Sequence, residues 1–328
     1  MRRRDLIVGL GSAAAWPVVA RAQQGERVRR IGILEVGDEL DRANQARWDA
    51  TRERLARLGW IEGRNARFEV RFSANDPDRM RVHADELVRL APDVIAVASA
   101  TATRALLQRT QTIPIVFTNV GDPVAMGLLK NIARPEGNAT GITSLFQSLG
   151  GKWLELLKEA APRTSRVALI FAPEIVSDQY FDVMDKAAEA LALKTIRTPY
   201  RNAAELERAI ENFAAEPNGG LLMVPPPPTP SNRELINRLA IKYRLPTNCP
   251  GGKQYVAEGC MMSYGSDTVE LNETAAIYID RILRGAKVSE LPVQFPTKLQ
   301  LVINLQTAKS LGLDLPYLLQ QRADELIE

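Results

Sequence analysis

Ser99, Ala100, Thr101, Ala102 and Thr103 follow directly on the apolar run DVIAVA (93–98) and open an amphipathic stretch reaching Arg109. A β-branched run leading into Ser and Thr reads as the carboxyl end of a strand turning into a helix. That is where open α/β sheets bind ligands, because free backbone N–H groups and the helix dipole favour a carboxylate there. Ser99, Thr101 and Thr103 would add hydroxyls, and Ala100 would allow close approach. The ordinary role of such residues is N-capping, which the same spacing serves equally.

A second strand end, IPIVFT (113–118), runs into Asn119-Val120-Gly121-Asp122-Pro123. Asp122 either receives a ligand amine or caps a helix opening at Pro123, the role that an Asp-Pro pair favours. Farther along, an extended stretch, MMSYG (261–265), ends in residues 264–267, which join the candidate lining, and Tyr264 offers a ring that can stack on a flat ligand. The candidate ligand-binding set is therefore Ser99, Ala100, Thr101, Thr103, Asn119, Asp122, Tyr264 and Asp267, with residues 35–40 completing the lining.

Catalytic chemistry finds little support in the same residues. The chain has one histidine, His83, inside an amphipathic stretch where a partly exposed surface residue is expected. No Ser-His-Asp set forms around it, and neither cysteines nor histidines have zinc spacing, so neither a metal nor a cofactor is expected. After the first apolar run stands Glu35-Val36-Gly37-Asp38 rather than a glycine-rich nucleotide loop. Trp48, Trp60 and Trp153 sit where aromatic residues pack a core.

The elements that must position these residues alternate. Strands are expected at 28–34, 66–72, 93–98 and 113–118, interleaved with helices at 42–58, 77–88, 101–109 and 123–132. Gly59 should stop the first helix and Asp76-Pro77 should start the second. A second series begins near Gly150, with helices at 153–160, 178–192, 203–214 and 232–243 and strands at 166–171, 194–198 and 220–224. Alternation of this kind makes parallel sheets covered on both faces. The fold class is α/β: two doubly wound parallel-sheet lobes joined by a hinge that the chain crosses more than once.

Residues 1–22 have the form of an export signal: Arg2, Arg3 and Arg4, then an apolar stretch, then Ala20-Arg21-Ala22. Arg3-Arg4 before Asp5, Leu6 and Ile7 also fits the twin-arginine form. The apolar stretch is shorter than a membrane span needs, and no cysteine near it suggests a lipid anchor. The formal net charge of +3 resides entirely in this segment. The remainder is neutral, which argues against nucleic-acid binding. Periplasmic localisation is expected.

The stretches LGWIEGRN (58–65), IPIVFTNVGDPVAMGL (113–128), RPEGNATGIT (134–143), MSYG (262–265) and LPVQFPTKLQLVINLQTAKSLGL (291–313) span nearly the whole chain after the signal. In order and spacing they resemble the ABC transporter substrate-binding proteins of the type I periplasmic-binding fold, in the branch that includes tryptophan and phenylalanine receptors. The resemblance implies transport rather than catalysis, a small solute such as an amino acid or aromatic carboxylate bound between lobes, and an ABC permease as partner. A ligand-sensing module for a membrane kinase or chemoreceptor, or a periplasmic enzyme, would use the same scaffold. The lobes are assigned to 27–142 with 265–290 and to 143–262 with 296–318, with hinge segments near 140–145, 261–265 and 291–298. Second-lobe loops at 172–178 and 225–231 should face the ligand, although the run Pro225 to Pro228 departs from the family pattern. Cys249 and Cys260, the only cysteines, are open to either a disulfide or two buried thiols.

Overall fold

Strand β1 (Arg29–Glu35) is buried from Ile31 onward, which an apolar run does only when both its faces are covered. The computed structural model describes residues 27–328 except 75, 145, 174–177 and 226–228. The expected export signal and parts of both second-lobe loops lie outside the described residues.

The first lobe holds a five-stranded sheet in the order β2-β1-β3-β4-β5, all parallel. The strands are β1, β2 (Ala66–Phe72), β3 (Val94–Val97), β4 (Ile115–Val120) and β5 (Ala139–Thr143). Helices α1 (Arg42–Arg57), α2 (Pro77–Arg89) and α3 (Ala100–Leu107) come from its crossovers. Asp76 caps α2 by accepting from the amides of Asp78 and Arg79, and Gly59 takes a φ of 98° just beyond α1.

One departure concerns residues 123–132, expected as a helix. They form hydrogen-bonded turns instead. The carbonyl of Pro123 accepts from both Leu128 and Leu129, and Gly127 turns left-handed at φ 66°. The turn thereby inserts Leu128 and Leu129 into the core beside Phe117 and Val120.

The second lobe repeats the winding with α4 (Phe146–Ala160), β6 (Arg166–Phe171), α5 (Asp178–Ala190), β7 (Lys194–Pro199), α6 (Ala203–Ala214), β8 (Gly219–Met223), α7 (Pro230–Tyr243), β9 (Thr247–Asn248) and α8 (Lys253–Ala257). Then come β10 (Met262–Ser266), α9 (Thr268–Leu283), β11 (Leu299–Asn304), α10 (Leu305–Ser310), α11 (Tyr317–Gln321) and β12 (Glu325–Ile327). The sheet is seven-stranded, ordered β12-β11-β10-β9-β8-β6-β7. Its β7-β6-β8-β9-β10 portion is parallel, but β11 runs antiparallel to β10. That pairing was not read from the sequence, since an isolated apolar strand does not declare its direction.

Each sheet has a core on both faces. In the first lobe Leu34, Leu87, Val97 and Phe117 pack on one side, and Ile33, Leu55, Val116 and Ile279 on the other, where α9 returns to lie on α1. In the second, Trp153, Phe181 and Ile303 fill one face, and Phe213, Ile236 and Leu239 the other. The chain passes between sheets from β5 to α4, from β10 to α9 at Asp267, and from Gln294 to β11. Gln294 itself pairs with Ile142, and its carbonyl accepts from the Thr143 amide at 2.8 Å. Cys249 and Cys260, both fully buried, form a disulfide with Cα atoms 6.4 Å apart.

Candidate functional site

Both parallel portions wind in the same sense: the first strand lies inside and the second on the edge. Strand order therefore reverses between β1 and β3 in one lobe and between β6 and β8 in the other. Loops diverge at such points and leave a crevice beyond the carboxyl ends. The two crevices face one another, because Asp41 in the β1–α1 loop touches Arg233 near the start of α7, and α8 packs against α1.

The residues singled out in the sequence divide by what their polar atoms already do. Ser99 is the N-cap of α3, its Oγ accepting from the Ala102 amide at 3.0 Å. That leaves its hydroxyl proton to donate. Thr101 is exposed and Ala100 half-buried beside it. Thr103 is a correction: it is fully buried, and its hydroxyl donates to the Ser99 carbonyl at 2.6 Å, so it faces the core one helical turn in. Asp122 is exposed and accepts from the amides of Val124 and Ala125 at 2.9 and 3.0 Å, capping the turn that replaces the expected helix.

Asn119 stands left-handed at φ 53°, where the β4–β5 register shifts between Phe117 and Val120. Asn tolerates this region better than other residues with a Cβ, and a bulge of this kind re-aims a side chain at a sheet end. Its buried Oδ1 has no partner. Tyr264 packs its ring partly buried against the second-lobe core containing Trp153, whose indole N–H donates to the Tyr264 carbonyl at 2.6 Å. This packing supplies a core role for a ring that was expected to stack on ligand. Asp267 caps α9 through the Val269 amide at 2.8 Å and lines a hinge cleft with Ser266, Gln294, Phe295 and Lys298.

Sequence reasoning missed a charged network between the lobes. Arg233, only 2% exposed, meets Asp41 across the cleft at 3.1 and 3.3 Å and Glu258 within its own lobe at 2.8 and 3.3 Å. Its guanidinium lies 4.2 Å from the Tyr255 ring centroid. Burial alone would lower its pKa, but Glu258, Tyr255 and Asp41 outweigh that and hold it above the ordinary arginine value. Arg47 on α1 binds Asn44 and lies 3.7 Å from Glu35. Burial raises the Glu35 carboxyl above its usual value despite Arg47. Nothing in the periodicity of α7 distinguishes a buried arginine from a solvated one.

Thr118 and Ser144 were also missed, while Ser266 fell within the expected lining 264–267. Each is buried with a hydroxyl oxygen lacking a partner, as are Glu35 Oε2 and Asn119 Oδ1. Native interiors satisfy nearly all such atoms. These residues stand at or just past the ends of β1, β4, β5 and β10. Among the described residues, no group of three or more His, Cys, Asp or Glu is placed to hold a metal. No described helix is long and apolar enough to cross a membrane.

Two doubly wound lobes, a hinge of several chain crossings and a polar cleft between carboxyl edges define a hinged solute-binding protein. The chain belongs to the ABC transporter substrate binding protein family, whose model matches residues 40–327. A curated relative, the tyrosine-binding protein of Clostridioides difficile (strain R20291), is 25% identical over 297 residues, covering 88% of this chain and 82% of the relative. A conserved domain protein from Vibrio cholerae superposes with a TM-score of 0.81 at 24% identity, covering 92% of this chain and all of the other. An ABC domain from Streptococcus pneumonia in complex with L-Trp gives 0.82 at 19% identity, covering 91% and 99%.

Proposed function

We propose that this chain is the exported, periplasmic receptor of an ABC importer, holding a small carboxylate-bearing solute, an amino acid or an aromatic acid, between its lobes for delivery to the permease. The observation that supports the reading is the set of buried, unpartnered polar atoms at the facing carboxyl edges, Thr118, Asn119, Ser144 and Ser266 among them. Buried polar groups left unsatisfied cost about 1–3 kcal/mol each. A solute that satisfies several of them at once stabilises the closed lobes. Ser99 and Thr101 at the start of α3 offer a hydroxyl and backbone donors to a carboxylate, and Asp122 lies at the neighbouring strand end. Relatives described as tyrosine-binding and as a complex with L-Trp favour an aromatic amino acid within this class.

The test is mass spectrometry of solute released from natively purified protein, followed by calorimetry with the identified compound. Recovery of a small carboxylate that rebinds in one-to-one ratio is expected. Turnover of that compound by the purified protein would overturn the reading, as would the absence of binding by any amino acid or aromatic acid.

A further inference from the structure

Ala96 of β3 lies between Ile33 of β1 and Val116 of β4 on the α1/α9 face, and Ala98, just past the end of β3, lines the same gap with Glu35 and Thr118. Side chains alternate along a strand, so these residues form two rows. Ile33, Ala96 and Val116 lie one step down from the carboxyl edge, and Glu35, Ala98 and Thr118 lie at it. Two alanines flanked by longer neighbours leave a gap. Trp48 and Thr51 of α1 and Asn272, Ala275 and Ile279 of α9 close it from the helix side. The resulting cavity has room for about one water-sized group.

Its polar atoms are unusual. Glu35 is 5% exposed and Thr118 2% exposed; neither Glu35 Oε2 nor Thr118 Oγ1 has a hydrogen-bond partner, and Glu35 Oε2 is ion-paired with the Arg47 guanidinium at 3.7 Å. The cavity lies beside the β1/β3 reversal, where the cleft opens. A carboxylate oxygen accepts, and a threonine hydroxyl can donate, so the pair complements a group that does both. A hydroxyl fits. An ammonium does not, because the Arg47 guanidinium 3.7 Å from Glu35 would repel it.

We propose that Glu35 and Thr118 form a specificity subsite that takes a hydroxyl group carried by the bound solute, the ring or chain bearing it remaining in the cleft above. The inference rests on the reading of the cleft as a site for amino or aromatic acids. A site built to hydrogen-bond a hydroxyl discriminates strongly against the analogue lacking it, because its own polar atoms are then left buried and unpaired. Burial holds the Glu35 carboxyl above its ordinary pKa despite Arg47, as its place in this gap requires.

Two matched pairs test it: tyrosine against phenylalanine, and 4-hydroxybenzoate against benzoate, titrated calorimetrically into wild-type protein, Thr118→Val and Glu35→Met. Wild type is expected to favour the hydroxylated member of a pair by about tenfold or more. Both variants should reduce that ratio to about twofold. Thr118→Val should leave the melting temperature of the empty protein unchanged or higher, since it removes a hydroxyl that has no partner, whereas a purely structural threonine would lower it. If unhydroxylated members bind as tightly as their partners, the subsite fails and the ligand class stands. If no member of either pair binds although other amino or aromatic acids do, the subsite alone fails; if no amino or aromatic acid binds, both fail. A selectivity ratio that survives Thr118→Val in folded protein also overturns the subsite, and the cavity is then a resident water site.

Discussion

The Arg233 guanidinium is shared by carboxylates of different lobes: Glu258 at 2.8 Å on its own side and Asp41 at 3.1 Å across the cleft. A hinge motion that parts the lobes would break the second contact and keep the first. Once the lobes separate, water can reach Asp41 and Arg233, so the pair acts on the open–closed equilibrium more than on folding. A ligand shifts that equilibrium only through contacts that differ between the two forms, and this pair sets the starting point.

Asp41→Asn should therefore weaken solute binding with little loss of lobe stability. Breaking a buried pair outright costs about 3–5 kcal/mol. Because opening rehydrates Arg233, the loss expected is about 2 kcal/mol, on the order of thirtyfold in affinity. Glu258→Gln should instead lower the melting temperature of the second lobe. Calorimetry and solution scattering measure both effects, and an Asp41→Asn protein with wild-type affinity and wild-type radius of gyration would show that the pair does not govern closure.

The disulfide between Cys249 and Cys260 spans a sequence separation of 11 and ties the end of β9 to the residues entering β10. Closing a loop of that length in the unfolded chain is worth about 3 kcal/mol in the chain-entropy picture. The double variant Cys249→Ala, Cys260→Ala should lose a comparable amount in denaturant titrations, and the wild type should lose it under strong reductant. Equal midpoints in all three conditions would remove the bridge from the stability of the second lobe.

Much of this organisation was legible before the structure. Asp76-Pro77 and Ser99 announced helix starts because a cap is a local event, decided by a side chain and an amide two or three residues on. Asp122-Pro123 announced one too, yet there the cap serves a turn, because Gly127 reverses the chain and Leu128 and Leu129 find the core first. The strand–helix alternation revealed two α/β lobes, but not the antiparallel return of β11, whose direction depends on a hinge crossing. Ser99 and Asn119 were marked by their strand ends. Thr118 and Ser144 were not, and Ser266 was marked only as part of the range 264–267, since an unsatisfied hydroxyl becomes visible only once burial and partners are known. Arg233 and Asp41 are separated by 192 positions, and only the packing of one lobe against the other brings them together.

Gly141 in β5 admits no side chain. A Cβ there would lie 2.0 Å from the Phe117 carbonyl oxygen and 2.7 Å from its amide nitrogen. The obstacle is the backbone of the neighbouring strand, which cannot rotate aside, and Gly141 also accepts the Gln294 amide at 3.0 Å on the hinge side. Gly141→Ala should cost at least about 1–3 kcal/mol, the range of overpacked sites, and disturb the hinge with it. An alanine variant of wild-type melting temperature would contradict the close approach.

Glu35 gives the protein a pH dependence of unusual sign. Its folded-state pKa is raised above the ordinary 4.5, burial being the main cause and Asp41 a lesser one, with Arg47 opposing. Between the ordinary and the raised value the native state holds a proton that the unfolded state has released. Stability therefore falls as pH rises through that window. The difference in unfolding free energy between wild type and Glu35→Gln should decline from pH 4.5 upward until Glu35 is ionised in the folded state, and then level. A difference that is flat or rises over the same range would mean that Arg47 dominates the carboxyl.

Thr101 is the exposed member of the α3 entry, flanked by half-buried Ala100 and buried Ala102. A larger side chain there projects from the start of the helix without entering the core, so the fold tolerates it while the crevice beside the capped turn is filled. Thr101→Phe should keep the wild-type melting temperature within about 2 °C, the effect of a few tenths of a kcal/mol. It should also reduce affinity for the co-purifying solute by about a hundredfold, as expected when a bulky group displaces a carboxylate from backbone donors worth about 1.5–3 kcal/mol each. Thr101→Ser, which keeps the hydroxyl and the helix start, should bind within about threefold of wild type, the spread expected of a nearly neutral surface change. The two variants together separate obstruction from loss of a hydroxyl, and a Phe variant that folds and binds normally would move the carboxylate site away from α3.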